Sequence, residues 1–272
     1  MKVRRRFAQH FLEAPWVDRV VDAADPRPTD AFVEIGPGRG ALTLPLARRA
    51  GAVIAVEVDR ELAGRLAGQA PGNVRVVAAD VLEVDLVRLV ADFPPAVRRR
   101  IIGNLPYNVS TPILAALLAA NTRGGRFVDA TLMLQREVAD RLASRPGSRD
   151  YGVLAILTQA SVDVTRLLAL PPGAFRPVPG VQSTLVRLTF GAPKIAPGLA
   201  GAFDLLVRSI FMQRRKVLAN ALKPLAEAAG VPVASALAAA ALDGRRRPET
   251  LQLEELERLA AVFASAGDPP VL

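Results

Sequence analysis

The segment VEIGPGRGALT, residues 33–43, places three glycines between an apolar strand and the start of a helix. Glycines at such a turn allow a tight reversal of the chain and the close approach of a ligand to the backbone. Gly36, Gly38 and Ala41 satisfy the loose dinucleotide-binding fingerprint, although a purely structural glycine turn would look the same. The segment predicts the first strand and turn of a nucleotide-binding α/β sheet.

Strand and helix signals alternate on both sides of this turn, over residues 30–145. Short apolar and β-branched segments predict five strands, at residues 31–35, 52–59, 73–80, 98–107 and 127–135. The segments between them predict helices, among them residues 41–51, residues 60–70 and one that begins at Thr111-Pro112. This alternation predicts an α/β fold with a doubly wound, Rossmann-like sheet.

The pattern changes after Tyr151. Residues 151–160 suit a helix, and residues 162–170 and 184–190 suit two strands joined by a proline-rich loop. That loop is too short for a helical crossover, so the two strands are expected to be antiparallel. From residue 200 onward the chain is predicted to be all helical. With the boundary near GAPKIAPG, residues 191–198, we expect domains at residues 1–193 and 194–272.

The composition limits the chemistry. With 272 residues, no cysteine and one histidine, the chain excludes disulfides, thiolate metal sites and a cysteine nucleophile, and we expect no metal site. We find no apolar run long enough for a membrane span and no signal peptide. The interpretation is a cytoplasmic protein without a membrane anchor. No apolar seam is evident, so we expect a monomer.

The formal net charge of +9 indicates a polyanionic partner such as a nucleic acid. A GC-rich genome would explain why arginine outnumbers lysine, but it would not explain the excess of positive charge. The basic residues form four clusters: Arg4-Arg5-Arg6, Arg98-Arg99-Arg100, Arg214-Arg215-Lys216 and Arg245-Arg246-Arg247.

Acidic residues end the next two predicted strands. Glu57 ends the second strand and Asp80 the third, so in a parallel sheet both face the crevice beside the glycine turn. A carboxylate at the second strand can accept both ribose hydroxyls, and one at the third can accept from an adenine amine. Either carboxylate alone could simply be solvated. Together with the glycine turn they predict an adenosine-containing cofactor.

The fourth strand ends in Asn104-Leu105-Pro106-Tyr107, within IIGNLPYNVSTPIL, residues 101–114. The Asn104 side-chain oxygen and the Leu105 carbonyl offer two acceptors, because Pro106 interrupts the strand ladder. Two adjacent acceptors suit an aromatic amine with two hydrogens, and the Tyr107 ring can stack on a planar base. A strand end before a proline-started helix would explain Pro106 but not Tyr107.

These motifs together resemble the S-adenosylmethionine-dependent ribosomal RNA adenine dimethylase family. NLPYN resembles its amino-methyltransferase signature, VEIGPGRGALT its cofactor loop, AVEVDREL its ribose-binding strand and AADVLEVD its adenine-binding strand. RRFAQHFL (5–12), LMLQREVADRL (132–142), FRPVPGVQSTLVRL (175–188) and FMQRRKVLANAL (211–222) stand in the family's order. The resemblance covers nearly the whole chain and is nearest to the bacterial enzymes that dimethylate two adjacent adenosines of small-subunit (16S) rRNA.

The resemblance implies an S-adenosylmethionine methyltransferase sheet, a small helical C-terminal domain and roles for particular residues. The implied cofactor contacts are His10, Leu12, Gly36, Gly38, Glu57, Asp80 and Asn104. The implied catalytic group is Asn104, Leu105, Pro106 and Tyr107. His10 stands where the family usually has asparagine, and Ala8 where it usually has glycine. Tyr107 and Phe175 are expected to stack on the target base, unless Phe175 instead fills the core.

The helical domain is expected to bind rRNA in the small ribosomal subunit or its precursor, through Arg214, Arg215, Lys216, Arg245, Arg246 and Arg247. Three other readings remain open. A nicotinamide oxidoreductase would use the glycine turn, a resistance dimethylase would act on the large subunit, and an assembly factor would bind rRNA without methylating it.

Overall fold

The computed structural model describes residues 10–94, 97–106 and 109–265. The chain divides into two compact units. The first, the sheet unit, comprises residues 1–139 and 163–190, and the second, the helical unit, comprises residues 140–162 and 191–272. In the described ranges, no helix is long and apolar enough to cross a membrane.

The sheet unit contains the strands. They are β1 (Phe11–Leu12), β2 (Asp30–Ile35), β3 (Ala52–Glu57), β4 (Val74–Ala78), β5 (Arg98–Asn104), β6 (Phe127–Gln135), β7 (Val162–Leu170), β8 (Phe175–Arg176) and β9 (Ser183–Phe190). Its helices are α1 (Ala14–Ala24), α2 (Thr43–Ala47), α3 (Arg60–Ala67), α4 (Leu86–Leu89) and α5 (Ser110–Ala120), followed by α6 (Arg136–Leu142) at the junction with the helical unit.

Seven strands form one sheet in the order β4-β3-β2-β5-β6-β9-β7. The first five are mutually parallel, and β9 runs antiparallel to β6. Every residue of β2 is buried, because helical layers cover a parallel sheet on both faces. The predicted α/β, Rossmann-like class is confirmed, and β6 and β7 match their predicted bounds.

Local sequence explains most of these elements. In α1, Val17, Val20, Val21 and Ala24 lie on one face and pack into the core beside β2. The Asp59 side chain begins α3 by accepting from the backbone N–H groups of Glu61 and Leu62. β5 ends at Asn104 rather than at residue 107, because Pro106 cannot continue the ladder.

At the amino end of β5, Arg100 is buried with 2% exposure. Its five N–H groups donate to Asp129 twice, to Asp30, and to the carbonyls of Ala24 and Asp25 at the end of α1. Two of the residues expected to attract a polyanion are therefore engaged within the fold, since Arg98 also pairs with Asp30 at 3.4 Å. This end of the sheet is held together by charge.

The helical unit contains α7 (Val153–Gln159), α8 (Ala200–Met212), α9 (Leu218–Ala221), α10 (Lys223–Ala229), α11 (Val233–Ala239) and α12 (Leu253–Ala264). Over residues 200–265, the described part of this region, the expected all-helical character is confirmed. Residues 140–162, expected with the sheet, instead belong here. The reason is Tyr151 and Ile156, which are buried in the helical core, with the Tyr151 hydroxyl 3.3 Å from the Leu251 carbonyl.

Candidate active site

A cavity of about 290 Å³ opens at the carboxyl edge of the parallel strands. The strand order reverses between β2 and β5, since β3 and β4 lie on one side of β2 while β5 and β6 lie on the other. Ligands of such sheets bind outside the strand ends at this reversal. The two strand ends are close, since a Cβ on Gly36 would lie 3.7 Å from the Asn104 carbonyl oxygen.

The glycine turn forms one wall of the cavity. Gly36 and Gly38 have φ angles of +68° and +57°, a left-handed conformation that side chains rarely adopt. A Cβ on Gly38 would also come within 3.0 Å of the Phe11 ring. Glycine at residue 38 is therefore needed both for the turn and for the contact with β1.

Glu57 is fixed by the turn itself. One carboxylate oxygen accepts from the Gly38 N–H and the other from the Asp59 N–H, both at 2.9 Å. Each oxygen keeps capacity for a second hydrogen bond, as two vicinal hydroxyls would require. Burial raises the pKa of Glu57, and the two backbone donors oppose that rise.

Asp80 follows β4 and is oriented by its own turn. Its Oδ1 atom accepts from the Leu82 N–H at 2.9 Å. Leu82 lines the cavity and its side chain is 42% exposed, so an apolar surface lies beside the carboxylate. This combination of one acceptor and an apolar wall suits the edge and face of a purine.

Asn104 is held by the N-terminal segment. Its Nδ2 atom donates to the His10 carbonyl at 2.8 Å. A carbonyl can only accept, so the nitrogen and oxygen of this amide are assigned by chemistry. Asn104 lines the cavity, so its Oδ1 atom is the side-chain atom that can accept a hydrogen bond from a ligand there.

The N-terminal segment is itself anchored beside the cavity. β1 pairs antiparallel with β8, so that Phe11 and Leu12 lie opposite Arg176 and Phe175. The His10 Nδ1 atom lies 2.6 Å from the Pro177 carbonyl, which requires the proton on Nδ1. The Arg39 guanidinium stacks on the Phe11 ring at 4.5 Å. These contacts fix the wall formed by residues 10–12.

Glu34 is the residue that the sequence analysis missed. It lies within the buried strand β2, is 2% exposed and lines the cavity. Burial, together with the nearby charge of Glu57, raises its pKa to about 7, and the Thr43 hydroxyl opposes the rise. Its only signal in the sequence was a charged residue inside the apolar strand AFVEI.

The cavity brings together all seven expected cofactor residues: His10, Leu12, Gly36, Gly38, Glu57, Asp80 and Asn104. Leu105 and Pro106 also line it, while Tyr107 lies outside the described residues. The ionisable groups among the described lining residues are three carboxylates and His10, with no lysine or arginine. Such a site favours a cationic ligand such as S-adenosylmethionine and disfavours the pyrophosphate of a nicotinamide dinucleotide.

Phe175 does not reach the cavity. Its side chain is 1% exposed and packs in the core with Val17, Val20 and Leu170. The expectation that it stacks on a base gains no support from this position. The interpretation that the structure favours is the other one, a loop phenylalanine that fills the core.

In the helical unit, two basic clusters meet. The Leu218 N–H donates to the Arg246 carbonyl, and the Ala219 N–H donates to the Gly244 carbonyl. Arg214 and Arg247 share Glu249 as an ion-pair partner. Arg215, Lys216 and Arg245 are exposed, whereas Arg246 pairs with Glu255 and binds the Thr250 carbonyl. These contacts place Arg214 and Arg247 beside the same carboxylate, and they show that Arg246 is engaged within the fold.

The model of the family described as ribosomal RNA adenine dimethylase matches residues 1–256. Ribosomal RNA small subunit methyltransferase A of Nitrosococcus oceani is 43% identical over 269 residues, which cover 97% of each chain. The protein of the same name from Geobacter metallireducens is 39% identical over 98% of each chain.

Solved structures agree with this family. A dimethyladenosine transferase from Plasmodium falciparum superimposes with a TM-score of 0.77, at 22% identity, over 94% of this chain and 98% of its own, which supports the fold. The 23S rRNA methyltransferase ErmE superimposes with a TM-score of 0.65, at 27% identity, over 92% of this chain and 98% of its own. The chain belongs to the ribosomal RNA adenine dimethylase family, and its cofactor is S-adenosylmethionine.

Proposed function

We propose that this protein dimethylates the N6 amines of two adjacent adenosines near the 3′ end of 16S rRNA, in the small ribosomal subunit or its precursor, in the cytoplasm. Relatives 39–43% identical that are named for the small subunit support this choice of target. The observation that carries the reaction is the fixed orientation of the Asn104 amide at the carboxyl end of β5.

The residues present fit S-adenosylmethionine. Glu57 would hold the ribose hydroxyls, Asp80 the adenine amine, and the Gly36–Gly38 backbone the remainder. When bound, the cofactor supplies a methyl group on a sulfonium, which is already activated for transfer.

Asn104 and Leu105 would prepare the target amine. The lone pair of an adenine amine is delocalised into the ring, which makes the nitrogen a poor nucleophile. Asn104 Oδ1 and the Leu105 carbonyl would accept its two hydrogens and favour a tetrahedral, more nucleophilic nitrogen. Their contribution is positioning and electrostatic stabilisation, and the released proton can pass to solvent.

A base inside an RNA fold must leave its stack to reach this cavity. Tyr107, next to the described Pro106, remains our candidate for stacking on it. In the helical unit, Arg215, Lys216 and Arg245 would contact RNA phosphates, which gives the region that includes residues 194–272 an rRNA-binding role.

The test uses purified protein, labelled S-adenosylmethionine, and unmodified small and large ribosomal subunits. We expect label in N6,N6-dimethyladenosine of the small subunit. Label in the large subunit would move the protein to the resistance dimethylases. Tight binding to the small subunit without label would leave an assembly factor.

The same assay tests Asn104. Asn104→Ala should lower turnover about 100-fold or more while the protein stays folded, because one acceptor at the reacting nitrogen is lost. Asn73→Ala is a matched control at the amino end of β4, where the side chain binds the Ala47 and Ala50 carbonyls. Near-normal turnover in Asn104→Ala would remove Asn104 from the reaction.

A further inference from the structure

Glu34 is a buried carboxylate whose burial is not compensated by the contacts of the described residues. It stands on the central strand β2, and its Oε2 atom is buried without a hydrogen-bond partner among the described residues. The nearby Thr43 hydroxyl lowers the pKa of Glu34, but it is not within hydrogen-bond geometry of that oxygen. A buried ionised carboxylate without a partner is strongly unfavourable, and a glutamine of similar size would carry no charge.

The electrostatic surroundings of Glu34 are negative. Among the described residues, the other titratable groups that line the cavity are Glu57 on β3, Asp80 after β4 and His10 before β1. Glu57 disfavours ionisation of Glu34, and burial disfavours it more strongly, so that the pKa is raised to about 7. The described lining residues include no lysine or arginine that would offset this charge. A cation entering the cavity would reverse that balance.

We propose that Glu34 is the counter-charge for a cationic group of the cofactor, and that cofactor binding removes its proton. The proposal rests on the proposed function, in which this cavity holds S-adenosylmethionine. That molecule carries two cations, an ammonium and a sulfonium, and either can supply the charge. The only covalent change is loss of the carboxyl O–H bond, with the proton passing to the buffer.

The direction of the pH dependence follows from this linkage. Below pH 7 most Glu34 is protonated before binding, so binding must release a proton. The affinity should therefore weaken toward about tenfold per pH unit as the pH falls below 7. The carboxylate also favours the positively charged cofactor over a neutral competitor of the same shape.

The experiment is isothermal titration calorimetry of the full chain with S-adenosylmethionine, in buffers of different ionisation enthalpy. The difference in heat between buffers counts the protons released. Wild-type protein should release close to one proton per cofactor at pH 6, where the amino group of the free cofactor is already an ammonium. Glu34→Gln should bind without releasing that proton. Glu61→Gln, an exposed glutamate paired with Arg65 on α3, is the matched control and should behave like wild type.

Equal proton release by wild type and Glu34→Gln would overturn the proposal and point to Glu57, Asp80 or His10. Absence of S-adenosylmethionine binding to wild-type protein would instead overturn the proposed function. S-adenosylhomocysteine keeps the ammonium but lacks the sulfonium. Proton release with both ligands identifies the ammonium as the cation, and release with S-adenosylmethionine alone identifies the sulfonium.

If Glu34→Gln binds too weakly for calorimetry, infrared difference spectroscopy of wild-type protein supplies a second measurement. At pH 6 the carbonyl band of a protonated carboxylic acid should disappear when S-adenosylmethionine is added. Wild-type protein that binds the cofactor and keeps this band would contradict the proposal. A band equally present in free Glu34→Gln would show that it belongs to another carboxyl group.

Discussion

The buried charged residues at the two ends of the β2–β5 pair have opposite hydrogen-bonding environments. At the amino end, all five N–H groups of Arg100 are used by two carboxylates and two carbonyls. At the carboxyl end, Glu34 is equally buried, at 2% exposure, but its Oε2 atom has no partner among the described residues. The register is close, since Arg100 pairs with Phe32, two residues before Glu34.

This difference separates structure from function within one pair of strands. A saturated charge joins elements, and here it ties α1 to β2, β5 and β6. An unpaired buried charge lowers the stability of the free protein, and it can contribute to function only when a ligand binds beside it. Three sets of substitutions test this contrast at different strengths.

The largest effect is expected for Arg100→Met. The substitution leaves Asp30 and Asp129 buried, and Arg98 and Arg187 approach them only at 3.4 and 3.7 Å. The free energy of unfolding should fall by about 3–5 kcal/mol in urea titrations. Arg99→Met is the control, because Arg99 makes a single 3.4 Å hydrogen bond to the Gly125 carbonyl. Equal losses in the two variants would show that the network is not stabilising.

A smaller effect of opposite sign is expected for Glu34→Gln without cofactor. Folding raises the pKa of Glu34 from 4.5 to about 7, so folding disfavours its charged form. The resulting penalty is absent below pH 4.5, grows as the pH rises toward 7, and is complete above it. The variant should therefore be more stable than wild type by about 3 kcal/mol at pH 8.

The same thermal or urea unfolding at pH 4 should show almost no difference between Glu34→Gln and wild type. Glu61→Gln should stay within about 0.5 kcal/mol of wild type at both pH values, since its ion pair is exposed. A glutamine variant less stable than wild type at pH 8 would mean that Glu34 has a stabilising partner, and the contrast with Arg100 would fail.

Much of the site was predictable because parallel strands end at one edge. The glycine turn, Glu57, Asp80 and Asn104 each lie at or just after the end of a strand that the sequence predicts, so topology alone brings them together. Glu34 was not predictable as a site residue. Its place in AFVEI defines a strand, but the lack of a partner for Oε2 is a property of packing.

Packing also explains the features whose positions could not be predicted from the sequence. The apolar pattern of residues 151–160 specifies a helix without specifying which core it enters. β1 and β8 are two residues each, too short for any periodic signal. Phe175 lies in β8, and its side chain packs in the core of the sheet unit. Arg98 and Arg100 look like part of a solvent-facing basic run, and only the positions of Asp30 and Asp129 place them within the fold.

The smallest effect extends the contrast to the helical unit. Arg246 makes a paired contact with Glu255, whereas Arg215 and Lys216 are exposed and have no ion pair among the described residues. Replacing Arg215 and Lys216 by alanine should leave stability unchanged, but the slope of log K against log salt for rRNA should fall by about 1.5–2. Arg246→Ala should do the reverse, losing about 1 kcal/mol of stability with little change in that slope.

Fluorescence anisotropy with an rRNA fragment at several salt concentrations measures the slope. Equal slopes in wild type and the double variant would mean that exposure in this surface does not predict phosphate contact, and the contrast would hold for the sheet unit alone.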